Sequence, residues 1–128
     1  MNFIVFNKRR LPESAILGFK IVEQDVNNSK PYMKIIIYGK FEIVYFNSNK
    51  ELRECADKLI YDLGLVNISS WHLKARAVKE YMPVINKEEY VFYILVKTTK
   101  IEQIKIRFSS EESLKEELCN FDQIFNVK

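Results

Sequence analysis

The residues that could carry catalytic or metal chemistry are few and scattered in this sequence. Its one histidine is His72, and no Gly-x-Ser-x-Gly element or Cys–His pairing stands near it. The cysteines Cys55 and Cys119 lack the clustered spacing of a zinc site. We therefore expect no catalytic residue, no metal and no cofactor, and a structural or surface role for His72.

Acidic residues and glycines give no clearer indication of an active site. The pairs Glu88-Glu89, Glu111-Glu112 and Glu116-Glu117 are typical of solvated loops and of helix starts, where carboxylates favour the helix dipole. The three glycines do not form a phosphate-binding loop. The sequence predicts a protein that is not an enzyme, with carboxylate-only chemistry as the one catalytic alternative left open.

A basic strand face is one candidate binding site. If Trp71–Tyr81 is extended, Lys74 and Arg76 share one face of a strand, and Lys105 and Arg107 share the outward face of another. Cations on the face of a sheet can bind phosphates, and an aromatic ring between them can stack on a base. The ordinary alternative is that charges keep an exposed strand soluble, and a net charge of only +3 favours it.

Aromatic side chains are the other candidate. Seven Tyr, nine Phe and one Trp are many for 128 residues, and the tyrosines cannot all be buried. Partly exposed Tyr and Trp are common anchors of protein interfaces. The candidate interface aromatics are Trp71, Tyr90 and Tyr93, although the position of Trp71 is more typical of a core residue.

Length and composition predict the general class of this protein. With 48% hydrophobic and 29% charged residues, the chain is predicted to be one globular domain over residues 1–128. Its apolar runs are far shorter than the roughly 20 residues of a membrane span. We expect a cytoplasmic protein with reduced thiols and no membrane partner. Frequent Ile, Asn and Lys suggest a low-GC bacterium or its phage.

Two helices have clear start signals. Ser48 and Glu51 have the spacing of a capping box, and Gly64 suits the left-handed end of a helix over 49–63. Ser109 and Glu112 repeat that spacing before a second helix that continues to the C-terminal end. The apolar residues of both helices predict a shared core, with Leu59 and Leu118 among its members.

Strands account for most of the remaining chain. Residues 32–38 and 41–46 form a predicted hairpin with a type II′ turn at Gly39-Lys40. The segments 15–23, 90–96 and 101–108 are further predicted strands, the middle one central and covered on both sides. The run 8–10 is expected to be a solvated linker, and 83–89 a loop.

The segment 71–82 is ambiguous, since its residues fit a helix as well as a strand. A sequence match between residues 46–54 and 108–116 favours the strand, because it aligns this segment with 15–23. The predicted fold is α+β: an N-terminal strand and two β-β-β-α units, with pseudo-repeats at about 13–64 and 71–126. An internal duplication and chance similarity of two strand-to-helix junctions both explain the match.

The functional expectation follows from the missing catalytic residues and the many aromatics. We expect a small non-catalytic protein-binding module whose partner is another protein or a second copy of itself. The first alternative is a nucleic-acid-binding protein that uses the basic strand face. The second is a small-ligand-binding protein, for which the sequence names no polar group.

Overall fold

Two α-helices and three antiparallel sheets make up the described part of this chain, so the predicted α+β class is confirmed. The computed structural model describes residues 2–27, 30–99 and 103–127. The chain divides into two compact units, Met1–Lys74 and Ala75–Lys128. Within the described residues, neither helix combines the length and the apolar character needed to cross a bilayer.

The first unit contains a hairpin, a three-stranded meander, a helix and a second hairpin. Its elements are β1 Phe3–Phe6, β2 Arg9–Pro12, a 3-10 helix Glu13–Ala15, β3 Ile16–Val22, β4 Tyr32–Ile37, β5 Lys40–Tyr45, α1 Asn49–Leu63, β6 Val66–Ile68 and β7 Trp71–Leu73. Strands β1 and β2 pair with each other, and the others form a five-stranded sheet of order β5-β4-β3-β7-β6.

The second unit contains a meander and a helix. Its elements are a 3-10 helix Ala75–Ala77, β8 Val78–Asn86, β9 Val91–Thr98, β10 Ile104–Phe108 and α2 Glu111–Ile124. The sheet order is β10-β9-β8, so β9 is central as predicted, although its Tyr93 face is only half covered. The first residues of the predicted strand 101–108 lie outside the described residues.

Helix α1 begins and ends where the sequence predicts. The Ser48 hydroxyl accepts the backbone N–H of Glu51 at 3.2 Å, and Gly64 ends the helix at φ 61°. In α2 the cap is Ser110 rather than the predicted Ser109. The Ser110 hydroxyl accepts the N–H of Ser113 at 3.2 Å, which places the helix start one residue later.

The prediction of a single N-terminal strand was wrong, because β1 and β2 form a hairpin. Asn7 and Lys8 both adopt positive φ and make its two-residue turn. Arg9 lies in β2 and donates to the Glu42 carboxylate at 2.8 Å, so the basic run is not a solvated linker.

The prediction of one strand over Trp71–Tyr81 was also wrong, and the helix alternative does not form. A 3-10 turn separates β7 from β8, which belong to different sheets. Backbone bonds fix both sides of the turn: Lys74 donates to the carbonyl of Leu17 at 3.0 Å, and Thr99 donates to that of Ala77 at 2.9 Å.

Two loop predictions need smaller corrections. Tyr38 and Gly39 form the turn between β4 and β5, both at positive φ, as a type I′ turn requires. The predicted loop 83–89 begins inside β8, which tolerates Pro83 because β8 is an edge strand, where a missing N–H can face away from the neighbouring strand.

Each helix buries one face on its own sheet. The core of the first unit joins α1 to the meander and to the first hairpin; it includes Phe6, Leu11, Phe19, Met33, Ile35, Leu52, Ala56 and Leu59. In the second unit α2 packs on its three strands, with Leu114 and Phe121 fully buried. Leu118, predicted as core, is only half buried.

One order of elements occurs twice along the chain with similar spacing, and its second occurrence begins in the last hairpin of the first unit. A hairpin, a 3-10 helix, three strands and a helix occur first at Phe3–Leu63 and again at Val66–Ile124. A register shift lies between Ile16 and Gly18 in β3 and at the equivalent place in β8. This order extends the predicted units by one hairpin each, while the duplication itself stays a prediction.

Candidate functional site

The four predicted basic residues lie in three different elements. Lys74 follows β7, and its ammonium group donates to the carbonyl of Glu13. Arg76 lies in the 3-10 turn between β7 and β8. Lys105 and Arg107 are both exposed on β10, as predicted. The structure therefore brings two of the four onto one strand face.

An aromatic ring accompanies that pair of cations. The register of β9 and β10 places Arg107 opposite Tyr93, and the Lys105 ammonium lies 5.2 Å from the centre of the Tyr93 ring. Lys97, also on β9, forms an ion pair with Glu80 at 3.0 Å. The exposed face of β10 therefore places two cations, Lys105 and Arg107, beside Tyr93. We call these three residues the basic face of the second unit.

The predicted interface aromatics differ in exposure. Trp71 is buried, with its ring 6.1 Å from that of Phe41. Tyr93 is half buried beside Lys105. Tyr90 is exposed in the turn before β9 and packs edge-on against Phe92 at 4.9 Å. Of the three, only Tyr90 is mostly exposed.

An exposed apolar surface lies on β5. Phe41, Ile43 and Tyr45 are 44%, 53% and 62% exposed and alternate along the strand, so their side chains share one face. We call these three residues the β5 strip. The strand is the outermost of the five-stranded sheet, and no described strand pairs with its other side.

Neighbours on β4 extend the strip. Tyr32 lies opposite Tyr45, with the ring centres 5.8 Å apart. The Lys34 ammonium lies 4.5 Å from the centre of the Phe41 ring. The site is therefore an apolar, aromatic surface with the Lys34 ammonium beside it. Aromatic residues are enriched at the centres of protein interfaces.

The other face of β5 is occupied. Val44 packs against the core of the first unit, and the Glu42 carboxylate accepts a hydrogen bond from Arg9. These contacts hold β5 in register with β4 without covering the strip. The strand is thus fixed on one face and open on the other.

His72 and Cys55 are two titratable side chains whose pKa values are shifted by burial. Burial lowers the pKa of His72, a shift that Asp57 partly opposes, and the His72 ring lies 5.1 Å from that of Phe19. Burial also raises the pKa of Cys55, which makes its thiol less reactive. In the described residues, no three His, Cys, Asp or Glu side chains are grouped to hold a metal.

A groove of about 460 Å³ lies between β8 and α2 in the second unit. Its lining is mainly apolar, and the Tyr81 hydroxyl donates to the Asp122 carboxylate at 2.8 Å inside it. Burial, together with this hydrogen bond, raises the pKa of Tyr81 to about 12, so the hydroxyl stays protonated. The Tyr81 and Asp122 side chains therefore bond to each other, and Lys79 and Glu80 are the other polar residues of the lining.

Sequence reasoning missed the β5 strip. The alternation of Phe41, Ile43 and Tyr45 is visible in the sequence, but Val44 and Phe46 are apolar as well. A strand that is apolar on both faces is usually internal. The sheet order, which the sequence does not contain, makes β5 the edge.

Comparisons with known proteins add no relative to this description. No protein-family model, no curated protein and no solved structure matches the chain.

Proposed function

We propose that this chain is a non-catalytic protein-binding module that binds an extended polypeptide along β5. The observation that carries the proposal is the β5 strip, three large apolar side chains exposed on one face of an edge strand. Exposed apolar patches on a folded protein commonly mark interaction sites. An edge strand adds main-chain hydrogen bonds to that apolar contact.

The hydrogen-bond pattern of β5 supports strand addition. The N–H of Phe46 donates to the carbonyl of Pro31 on the β4 side at 2.9 Å. Backbone groups of an antiparallel strand alternate in direction, so Lys40, Glu42 and Val44 bond to β4. The N–H and C=O groups of the β5 strip therefore point away from β4, where an incoming strand can bond to them.

A photo-crosslinking experiment tests this proposal. We would place p-benzoylphenylalanine at Tyr45 and, as a matched control, at Tyr61, which is 87% exposed on α1. Both proteins are irradiated in a lysate of the native host. We expect a polypeptide adduct at position 45 that is absent at 61 and is lost when Phe41→Asp is added.

The adduct must then be reproduced with purified components. Because aromatic anchors dominate interface energetics, Tyr45→Ala should weaken binding of the purified partner about tenfold or more. Equal labelling at positions 45 and 61, or unchanged affinity of Tyr45→Ala, would contradict the proposal.

Nucleic-acid binding is a second candidate, supported by Lys105 and Arg107 beside Tyr93. Gel shifts with labelled single- and double-stranded DNA and RNA at several salt concentrations test it. Lys105→Ala with Arg107→Ala should reduce the slope of log affinity against log salt by about 2, one for each lost phosphate contact. Lys79→Ala, which removes an exposed cation from β8, is the control. Absence of binding by the unaltered protein at low salt excludes this function.

A further inference from the structure

We infer that the partner strand on β5 is the β5 strand of a second copy of this chain. This inference rests on the proposed function, because it names the occupant of the same strand. It is drawn from three properties of the edge: its lack of protection, its self-complementary register and the uncharged side chains of the β5 strip.

The other sheet edges of the described residues carry features that oppose pairing. Strand β8 contains Pro83, and β10 exposes Lys105 and Arg107. Strand β6 has only three residues, and β1 and β2 have four each. Proline, outward charge and short length are the usual means by which proteins protect sheet edges.

Strand β5 has none of these features on its exposed face. Its six residues, Lys-Phe-Glu-Ile-Val-Tyr, include no Pro or Gly and are rich in β-branched and aromatic types. The two charged residues, Lys40 and Glu42, alternate with the β5 strip and so lie on the opposite face. An exposed edge of this composition readily pairs with an identical strand.

The register of an antiparallel pair follows from side-chain complementarity. With a two-fold axis at Ile43, the two Ile43 side chains lie opposite each other, and Phe41 of each copy lies opposite Tyr45 of the other. The outward backbone groups of the β5 strip then form about six hydrogen bonds, two for each facing pair. Facing aromatic pairs of this kind stabilise a sheet.

The two neighbouring symmetric registers are disfavoured. An axis at Val44 would place Phe41 opposite Asn47, beyond the end of β5, and would lose the facing pairs of Phe41 and Tyr45. An axis at Glu42 would place two carboxylates directly opposite each other, and facing like charges are destabilising. If one strand slips by a single residue relative to the other, the residues of the β5 strip face Glu42 and Val44 of the second copy, whose side chains lie on the occupied face of β5. The register at Ile43 therefore joins two five-stranded sheets and keeps both strips on one side.

The association should be weak and concentration-dependent. A six-residue edge buries less than the roughly 1,200–2,000 Å² of stable interfaces. Sedimentation velocity on the full chain, over a series of concentrations, measures the equilibrium directly. We expect a monomer–dimer equilibrium for the unaltered protein.

Charge substitutions at the axis test the register. Ile43→Lys places two ammonium groups opposite each other and should raise the dimer dissociation constant about a hundredfold or more. Ile43→Glu should do the same. An equal mixture of the I43K and I43E proteins should form a heterodimer, because opposite charges then face each other. The control is Met82→Lys, a residue of similar exposure, 47%, on β8, which should leave dimerisation unchanged.

A monomeric unaltered protein at every concentration overturns this inference but leaves the proposed function open to the crosslinking test at Tyr45. A dimer that persists in I43K, or two variants whose mixture stays monomeric, also overturns it. Circular dichroism of each variant checks that it is folded. A heterodimer of the I43K and I43E proteins would also show that both are folded, because misfolded proteins would not form it.

Discussion

The outer edges of β3 and β8 differ, although both strands begin their meanders after a 3-10 helix. Strand β7 pairs with β3 and places Leu73 opposite Gly18. No described strand pairs with the outer side of β8, where Glu80 stands at the position equivalent to Gly18. A Cβ atom at Gly18 would lie 2.2 Å from the carbonyl oxygen of His72. The absence of a side chain at position 18 therefore permits the close approach of β7 to β3 at this point.

The consequences of this difference extend to the core. In the first unit, His72 stacks beside Phe19, and the region between β3 and α1 is closed by buried residues. The equivalent region of the second unit is the open groove between β8 and α2. Leu118 lines this groove and is half exposed for that reason. The two units therefore differ in how completely their helices are covered.

The largest expected effect comes from the equivalent helix residues Leu52 and Leu114. Both are fully buried, so Leu52→Ala and Leu114→Ala should each lower the free energy of unfolding by about 2–5 kcal/mol. Leu118→Ala is the control on the same helix and should cost about 1 kcal/mol, because its side chain is half exposed. Urea unfolding monitored by circular dichroism measures all three. A cost for Leu118→Ala as large as that for Leu114→Ala would contradict the open groove.

The second prediction addresses the strand edge itself. Gly18→Ala should lower the free energy of unfolding by about 1–3 kcal/mol, because its Cβ displaces β7. Glu80→Ala should change it by less than about 0.5 kcal/mol, since Glu80 is exposed. Hydrogen exchange of the Lys74 amide, which bonds across this edge, should accelerate in Gly18→Ala. An unchanged exchange rate of the Lys74 amide in Gly18→Ala would show that β7 does not approach position 18 closely.

Helix caps provide an intermediate effect. Ser48→Ala and Ser110→Ala should each lower the free energy of unfolding by about 1 kcal/mol, since each removes the acceptor for a free helix N–H. Ser109→Ala should have almost no effect and is the control for the assignment of the cap. Thermal unfolding of the three variants measures the difference. A larger loss of stability in Ser109→Ala than in Ser110→Ala would show that Ser109 is the cap, as the sequence predicts.

The smallest expected effect concerns the ion pairs made by each helix. Arg53 of α1 donates twice to the Glu23 carboxylate at 2.6 Å, whereas Lys115 of α2 pairs with Glu111 in its own helix. The hydrogen bond from Arg53 lowers the pKa of Glu23. Because the folded pKa is lower than the unfolded one, this pair stabilises above the ordinary carboxylate pKa and loses its contribution as the pH falls through the lowered value.

An NMR titration of the Glu23 carboxyl checks this pH dependence. Arg53→Met should move the Glu23 midpoint back toward its ordinary value. Lys115→Met removes the cation from the other helix and should leave that midpoint where it is. An unchanged midpoint in Arg53→Met would show that the two side chains do not pair in solution.

Local sequence signals predicted the helices and the central strands well. Ser48 and Gly64 bound α1 because caps act through backbone groups only a few residues away. The alternation of apolar residues in β10 predicted that Lys105 and Arg107 share an exposed face. The errors at Arg9, Lys74 and Arg76 share a cause, because short hairpins and 3-10 turns have weak local patterns and depend on distant partners.

Residue types and spacings were enough to predict the α+β class, the extent of α1 and the lack of a recognisable catalytic motif. Each of these depends on residues within one element. That β5 lies at the edge and that β7 pairs with β3 became clear only from the folded chain. These depend on which strand lies beside which, and strands far apart in sequence pair through backbone groups that every residue carries. The apolar residues of β5 could have been covered by a neighbouring strand or left open, and only the sheet order leaves the β5 strip exposed.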